Sequence, residues 1–264
     1  MKFTKMQGLG NDYVYIDCFS EQVAKPEELA IRIADRHFGV GGDGLILICP
    51  SEIAPVRMRM FNADGSEGKM CGNGARCVAR YAYDHGLVTS RSFDIETGAG
   101  IRHAEVGESL VTIDMGEAVL DGELEEAITV DGKATRMTPV NVGNPHAVYL
   151  VDSLENLRGL DLDKIGPAYE HHPRFPEGVN SEFLYIESPT ELHMRVYERG
   201  SGETLACGTG ATAVAFAAMR LGHATEKVTV HLLGGDLMLE RLSDGHFRMT
   251  GPAVEVFSGS YFSE

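Results

Sequence analysis

The chain has 264 residues, enough for one large domain or two of ordinary size. A hydrophobic fraction of 43% and a charged fraction of 23% predict a packed core rather than disorder, and a formal net charge of -16 disfavours nucleic acid and anionic membrane surfaces as partners. No apolar run reaches the roughly 18 residues of a membrane-spanning helix. The stretch 1–17, broken by Gly8, Gly10, Asn11 and Asp12, lacks the apolar core and cleavage site of a signal peptide, so a cytoplasmic location is expected.

Taken along the chain, residues 13–18 read as a strand and 26–37 as an amphipathic helix opened by Pro26, a residue suited to a first turn. Strands follow at 45–49 and 57–62. An apolar helix is expected at 75–85, stopped by Gly86, and then a strand at 109–115. The second half runs in a similar order. Strands are expected at 146–152, 182–186 and 191–198, with a helix at 160–171 among them. A second apolar helix is expected at 211–221, stopped by Gly222, and closing strands at 227–232, 237–242 and 246–250. The 31 glycines predict many tight turns.

The similar order reflects an internal repeat. Cys71-Gly72-Asn73-Gly74-Ala75 returns about half a chain later as Cys207-Gly208-Thr209-Gly210-Ala211. Upstream, Gly10-Asn11-Asp12 returns as Gly143-Asn144-Pro145-His146, and the segments 41–45 and 179–183 both lead into strands. The halves are expected to meet near Gly116, giving an N-terminal half 1–116 and a C-terminal half 117–251.

Five cysteines are present: Cys18, Cys49, Cys71, Cys77 and Cys207. Their odd number argues against a disulfide framework, and without a Cys-x-x-Cys pair no structural metal site is expected. Cys71 and Cys207 each stand before a helix, separated from it by Gly-x-Gly. The dipole and outward N–H groups of a first helical turn favour a thiolate and also hold a carboxylate. Two such units, facing each other across a cleft, would let one thiolate remove an α-proton while the opposite thiol delivers one to the other face, each acting as acid or base according to direction. That is the chemistry of stereocentre inversion, with the carbanion stabilised by preorganised donors. Cys77, which aligns with Ala213, reads as core, as do Cys18 and Cys49.

Asn62-Ala63-Asp64-Gly65-Ser66-Glu67 followed by Met70-Cys71-Gly72-Asn73-Gly74-Ala75-Arg76-Cys77 resembles the signature of the diaminopimelate epimerases. The resemblance extends through 5–12, 143–146, 178–180, 196–200 and 203–210, nearly the whole chain. It implies an α/β (α+β) fold of two pseudo-symmetric domains. Each would be a mostly antiparallel sheet wrapped around a central helix, with the active site in the cleft between them and a C-terminal tail, 252–264, returning to the first. It implies a homodimeric isomerase that needs no cofactor and no metal and interconverts LL- and meso-diaminopimelate in lysine and peptidoglycan-precursor synthesis. Carried over position by position, Cys71 and Cys207 are the acid/base pair, with His146 and Glu198 beside them. Asn11, Asn62, Asn144 and Asn180 are substrate amides. Arg199 grips a carboxylate beside Glu198, and Gly72, Asn73, Gly208 and Thr209 supply substrate-binding groups at the helix starts. Where some members carry Gln after the aspartate matching Asp43, this chain has Gly44.

Three other readings are distinguishable. A cofactor-independent racemase of another amino acid would use the same paired cysteines. A thiol redox protein would more naturally carry Cys-x-x-Cys. A pyridoxal-phosphate enzyme is demanded by no feature of the sequence.

Overall fold

Strands of alternating or continuous apolar residues and two apolar helices organise the computed structural model, which describes residues 1–262. The chain divides into two units: Met1–Asp114 with the described residues from Thr250 onward, and Met115–Met249. Among the described residues no helix is long and apolar enough to cross a membrane. The fold is mixed α+β, and each unit sets one apolar helix against the strands of its sheet.

In the first unit the elements run β1 (Lys2–Gly8), β2 (Asn11–Asp17), α1 (Pro26–Ala34), β3 (Gly44–Cys49), β4 (Val56–Asn62), β5 (Glu67–Gly68), α2 (Gly72–Asp84), β6 (Ser92–Thr97) and β7 (Gly100–Val106). The chain leaves the unit within β8 (Leu110–Glu117). β1 pairs antiparallel with β2, β2 parallel with β3, β3 antiparallel with β4, and β4 parallel with β6. β6, β7 and β8 continue as an antiparallel meander. The strand Val254–Ser260 pairs antiparallel with β1; residues 263–264 of the expected tail lie outside the described residues. The helix α2 is the central one. Ala75, Cys77, Val78, Ala79 and Ala82 on it are fully buried and face β1 to β4 and β7.

The second unit repeats that plan. Its elements are β9 (Val119–Leu120), β10 (Glu126–Val130), β11 (Lys133–Asn141), β12 (Pro145–Leu150), α3 (Leu154–Arg158), α4 (Leu162–Glu170), β13 (Asn180–Ser188), β14 (Glu191–Glu198), β15 (Gly202–Glu203), α5 (Gly208–Arg220), β16 (Lys227–Leu232) and β17 (Gly235–Arg241), and the chain leaves it within β18 (His246–Pro252). β11 pairs antiparallel with β12, β12 parallel with β13, β13 antiparallel with β14, and β14 parallel with β16, as β1 to β4 and β6 do. The strand registers correct the sequence comparison of 41–45 with 179–183 by two residues. Tyr13 lies opposite Gly44 and His146 opposite Asn180, so Gly44 is the counterpart of Asn180, and Ile46 that of Glu182.

Several elements differ from expectation. The helix expected at 26–37 ends at Ala34. There the Asp35 carboxylate accepts the N–H groups of His37 and Phe38, both at 2.7 Å, and the N–H groups of Gly41 and Gly42 return to the carbonyls of Ile33 and Ala34, satisfying the helix end with loop donors. The central helices begin at Gly72 and Gly208, not at Ala75 and Ala211, because the cysteine sulfurs cap the glycine-containing first turns. Of the region 160–171, 162–170 is helical, with a separate short α3 before it. β1, β6, β7, β10 and β11 each carry at least one charged residue and show no continuous apolar signal.

Candidate active site

The N-cap of α2 is Cys71, in extended backbone conformation, with its Sγ accepting the Gly74 N–H at 3.3 Å. A thiol thus does the work usually done by a Ser, Thr or Asp oxygen. Gly74 packs closely: a Cβ there would lie 2.6 Å from Ile46 Cδ1. The Cys71 sulfur also donates to Asn11 Oδ1 at 3.3 Å. Asn11 Nδ2 donates in turn to Asp43 Oδ2 at 2.8 Å, an oxygen that also accepts the Asp12 N–H at 3.0 Å. With its amide nitrogen so held, Asn11 keeps its oxygen toward the thiol. Arg36 binds Asp12 at 2.8 Å and Asp43 at 3.0 Å, and Lys5 binds Asp12 at 2.5 Å and the Gly41 carbonyl. Burial pushes the Asp12 carboxyl up, but the bonds from Arg36 and Lys5 outweigh it and hold the group below the usual carboxylate range. Asp43 goes the other way, raised by burial and by the neighbouring Asp12 charge.

In the second unit Cys207 caps α5 in the same manner, its Sγ accepting the Gly210 N–H at 3.4 Å. It is 5% exposed. The partner beside the sulfur is different: Thr209 Oγ1, at 3.5 Å. Asn144 Nδ2 donates to Thr209 Oγ1 at 3.5 Å, Asn144 Oδ1 lies 3.0 Å from His146 Nε2, and His146 Nδ1 lies 2.6 Å from Glu182 Oε1. Both His146 and Glu182 are fully buried. A Cβ on Gly210 would lie 2.9 Å from Glu182 Oε1 and 3.3 Å from Cys207 Sγ, which puts the carboxyl beneath the same turn as the sulfur. Burial pushes the Cys207 thiol well up, and the Glu198 and Glu182 carboxyls push the same way; the Thr209 and Gly210 hydrogen bonds only partly offset this. Burial likewise raises Glu182, against the pull of His146.

Gly72 and Asn73, and Gly208 and Thr209, are the first two residues of α2 and α5, where N–H groups point out along the positive end of the dipole. The Asn73 side chain is buried and accepts from Arg76 at 2.8 Å. Asn62 ends β4 and donates to Ser66 Oγ at 2.9 Å. Its counterpart by register is Glu198, which ends β14 and accepts the Thr204 hydroxyl at 2.5 Å. Asn180 donates to the Pro145 carbonyl at 2.9 Å and accepts the Arg199 N–H at 3.0 Å, so its amide ties β12 to the segment carrying Arg199. The Arg199 guanidinium donates to the Glu177 carbonyl at 3.3 Å. A side chain at Gly44 would fall on the Phe61 carbonyl, so the backbone leaves no room for one. Among the described residues no group of three or more His, Cys, Asp or Glu side chains is arranged to hold a metal ion.

Cys77 is fully buried in α2, with its thiol pushed up to about 11 by burial. Cys18 and Cys49 are half buried at the core's edge and hydrogen-bonded to each other. Sequence reasoning missed Asp43, Arg36 and Lys5 behind Asn11, and Glu182 behind His146. The legible signal for Glu182 was an ionisable residue two positions from Asn180, on the same face of an otherwise apolar strand.

Residues 3–120 and 138–256 match the family described as diaminopimelate epimerase. The chain is 50% identical to a diaminopimelate epimerase of Acetivibrio thermocellus, covering 98% of each chain. It is 47% identical to one of Methanococcus maripaludis over 98% of this chain and 99% of that one. Among solved structures, a probable proline racemase of Agrobacterium radiobacter superposes with a TM-score of 0.76 at 15% identity, covering 100% of this chain and 93% of the other. A PhzF-family phenazine biosynthesis protein of Bacillus anthracis gives 0.75 at 17% identity, over 100% and 99%. At such identities these two likenesses speak to the fold alone.

Proposed function

The chain belongs to the diaminopimelate epimerase family, and on that premise we propose that Cys71 and Cys207 are the two proton-transfer groups with which it interconverts LL- and meso-2,6-diaminopimelate. The enzyme is an isomerase. The observation that carries the cysteine assignment is the duplicated cap: in each unit the sulfur accepts the N–H three residues on, at the mouth of the central helix.

The chemistry follows from that geometry. One thiolate takes the α-proton, and the electron pair left on carbon spreads into the substrate carboxylate. N–H groups at the starts of α2 and α5 stabilise that charge as it forms, because they are already oriented. The other thiol then protonates the carbon from the opposite face, and the reverse reaction exchanges the roles. Burial of Cys207 favours its protonated form, so a turnover that uses it as acid starts from the state its surroundings prefer. Asn11 and Asn144 with the segment Glu198–Arg199 bind the amino-acid heads, Arg199 suiting a bidentate grip on carboxylate. His146 and Glu198 act beside the reacting groups. In the family's setting the enzyme works without a cofactor, as a cytoplasmic homodimer, supplying lysine and peptidoglycan precursors.

The test is α-proton exchange and epimerisation in deuterium oxide by wild type, Cys71→Ser and Cys207→Ser. Each substitution is expected to lower epimerisation by roughly 10²–10⁴-fold. Full epimerisation by either variant would overturn the assignment. Activity on proline or another amino acid, with none on LL-diaminopimelate, would overturn the substrate.

A further inference from the structure

Glu182 is a buried ionisable group that the proton-transfer scheme does not use. It has no exposed surface, and one of its oxygens, Oε2, is buried without a hydrogen-bond partner. Packing does not demand a carboxyl here. By register the same position in the first unit is Ile46, whose Cδ1 fills the space beneath Gly74 as Glu182 Oε1 fills that beneath Gly210. An aliphatic side chain therefore supports an equivalent turn, and a buried carboxyl is the costlier choice.

The contacts of its neighbours define a direction. Asn144 presents Oδ1 to His146 Nε2 at 3.0 Å and Nδ2 to Thr209 at 3.5 Å. An amide oxygen only accepts, so His146 Nε2 carries a hydrogen. Thr209 Oγ1, receiving the Asn144 N–H, can turn its own hydrogen to Cys207 Sγ, 3.5 Å away. At the far end His146 Nδ1 meets Glu182 Oε1 at 2.6 Å. If Glu182 is protonated, every donor in the series points the same way, toward the sulfur. The orphaned Oε2 is then a neutral carbonyl oxygen, far cheaper to bury than half of a carboxylate.

We propose that Glu182 is a positioning residue of the Cys207 half-site: its carboxyl proton, donated to His146 Nδ1, fixes the Nε2–H tautomer, and through Asn144 and Thr209 this aims a hydrogen-bond donor at the Cys207 sulfur. The proposal rests on the reading of Cys207 as a proton-transfer group. The donor matters when Cys207 gives up its proton, since a buried thiolate gains most from a second hydrogen bond besides that of Gly210. The titratable groups that face Glu182 are His146 and Tyr149 on β12, Glu198 at the end of β14 and Cys207 before α5. Burial and the Glu198 charge both favour the protonated carboxyl that the series requires.

Two variants and one spectrum test this. Glu182→Ile copies the Ile46 arrangement and is expected to lower kcat in both directions about tenfold or more, the equivalent of one lost hydrogen bond, with KM within about twofold. Glu182→Gln keeps an N–H donor for His146 Nδ1 and is expected to recover most of that loss. Wild-type kcat in Glu182→Ile, or a Gln variant no better than the Ile variant, overturns the proposal. Nitrogen-15 histidine spectra of the unaltered protein, with His146 assigned from its loss in His146→Gln, need no variant activity. They are expected to show Nε2 protonated and Nδ1 accepting, and the opposite tautomer overturns the proposal. Cys207→Ser separates the two levels. An inactive Cys207→Ser alongside a fully active Glu182→Ile defeats only the positioning role, whereas a fully active Cys207→Ser defeats the reading of Cys207 beneath it.

Discussion

The two units carry the same cysteine cap on the same strand order, yet they set different groups beside their sulfurs. In the first unit the group beside the sulfur is an acceptor: Asn11 Oδ1 takes the Cys71 S–H, and the amide is fixed by an ionic cluster that runs from the exposed Arg36 through Asp43 and Asp12 to the buried Lys5. In the second unit Asn144 is the counterpart of Asn11 but lies one step back, and Thr209 stands between it and the sulfur, backed by the buried His146 and Glu182. The position of Thr209 is occupied in the first unit by Asn73, whose side chain turns away to Arg76. Duplication thus kept the helix start, which binds charge, and altered the neighbours, which decide where a proton rests. Each sulfur must be protonated at one stage of an inversion and bare at the other; burial holds the proton on Cys207 at rest, and its neighbours matter most once that proton has left.

The sharpest way to break the comparison is to move the carboxyl to the other unit. Ile46→Glu would place an acid beneath Gly74 with no histidine to receive its proton, since the residue at the position of His146 is Tyr13. Unfolding in urea is expected to show a loss of about 3–5 kcal/mol, the scale of an uncompensated buried charge. The sign with pH is fixed. A carboxyl whose folded-state pKa is raised above its unfolded value stabilises least where the unfolded chain is ionised, so the loss grows as pH rises above about 4.3. A variant as stable as wild type at pH 8 would mean that the space beneath Gly74 is wetter than the contacts of Ile46 indicate.

These contrasts were only partly legible in the sequence. The caps were, because Cys-Gly-x-Gly occurs twice at matching distances from Gly-Asn, and the glycines announce a tight turn before an apolar run. The helix starts were misplaced by three residues because glycine reads as loop, although here Gly72 and Gly74 lie in the first turn with a sulfur as cap. Glu182 was hidden for another reason. In a strand, a charged residue ordinarily marks the solvent face, and nothing local says that a histidine 36 residues earlier will meet it in the interior. Lys5 hid β1 in the same way: it is 7% exposed, and its burial makes sense only once Asp12 is seen beside it. Periodicity reports which face of an element is apolar, and it fails where an ion or proton pair closes inside the core.

A milder test acts on the hydrogen bonds themselves. Asp43→Ala removes the acceptor that orients Asn11 and receives the Asp12 N–H, and it leaves Arg36 with one carboxylate instead of two. Hydrogen bonds to a charged acceptor contribute about 1.5–3 kcal/mol each, so kcat/KM is expected to fall roughly 10–100-fold. Thr209→Val removes one neutral donor and should cost less, about tenfold. It also pushes the buried Cys207 thiol further up, because the Thr209 hydroxyl is one of the two groups that lower it. Alkylation of Cys207, followed by peptide mapping, is therefore expected to be slow at neutral pH in wild type and to quicken as pH rises through the raised thiol pKa. It should be slower still in Thr209→Val at every pH below that point. Equal rates in the two proteins would show that the hydroxyl does not reach the sulfur.

The smallest effect is expected at the rim of the first half-site. Arg36 binds both Asp12 and Asp43, but its side chain is 57% exposed, so water and salt screen the pair. Exposed pairs of this kind contribute about 0–1 kcal/mol, and Arg36→Met should change stability by no more than that. Lys5 remains, buried against Asp12, to keep the cluster's inner charge compensated. What Arg36 adds is a fork between two carboxylates that would otherwise repel. Its loss should therefore be felt more by Asp43, and through Asn11 by Cys71, than by the fold. Expected is a fall in kcat/KM of at most about fivefold at low ionic strength. Near 0.5 M salt, where screening already weakens the fork in wild type, the gap between the two proteins should shrink. A difference that is larger and independent of salt would mean that the ionic cluster behind Asn11 is as dry as the His146 and Glu182 pair behind Asn144, and the contrast between the two half-sites would then lie in the chemistry of the partners rather than in their access to water.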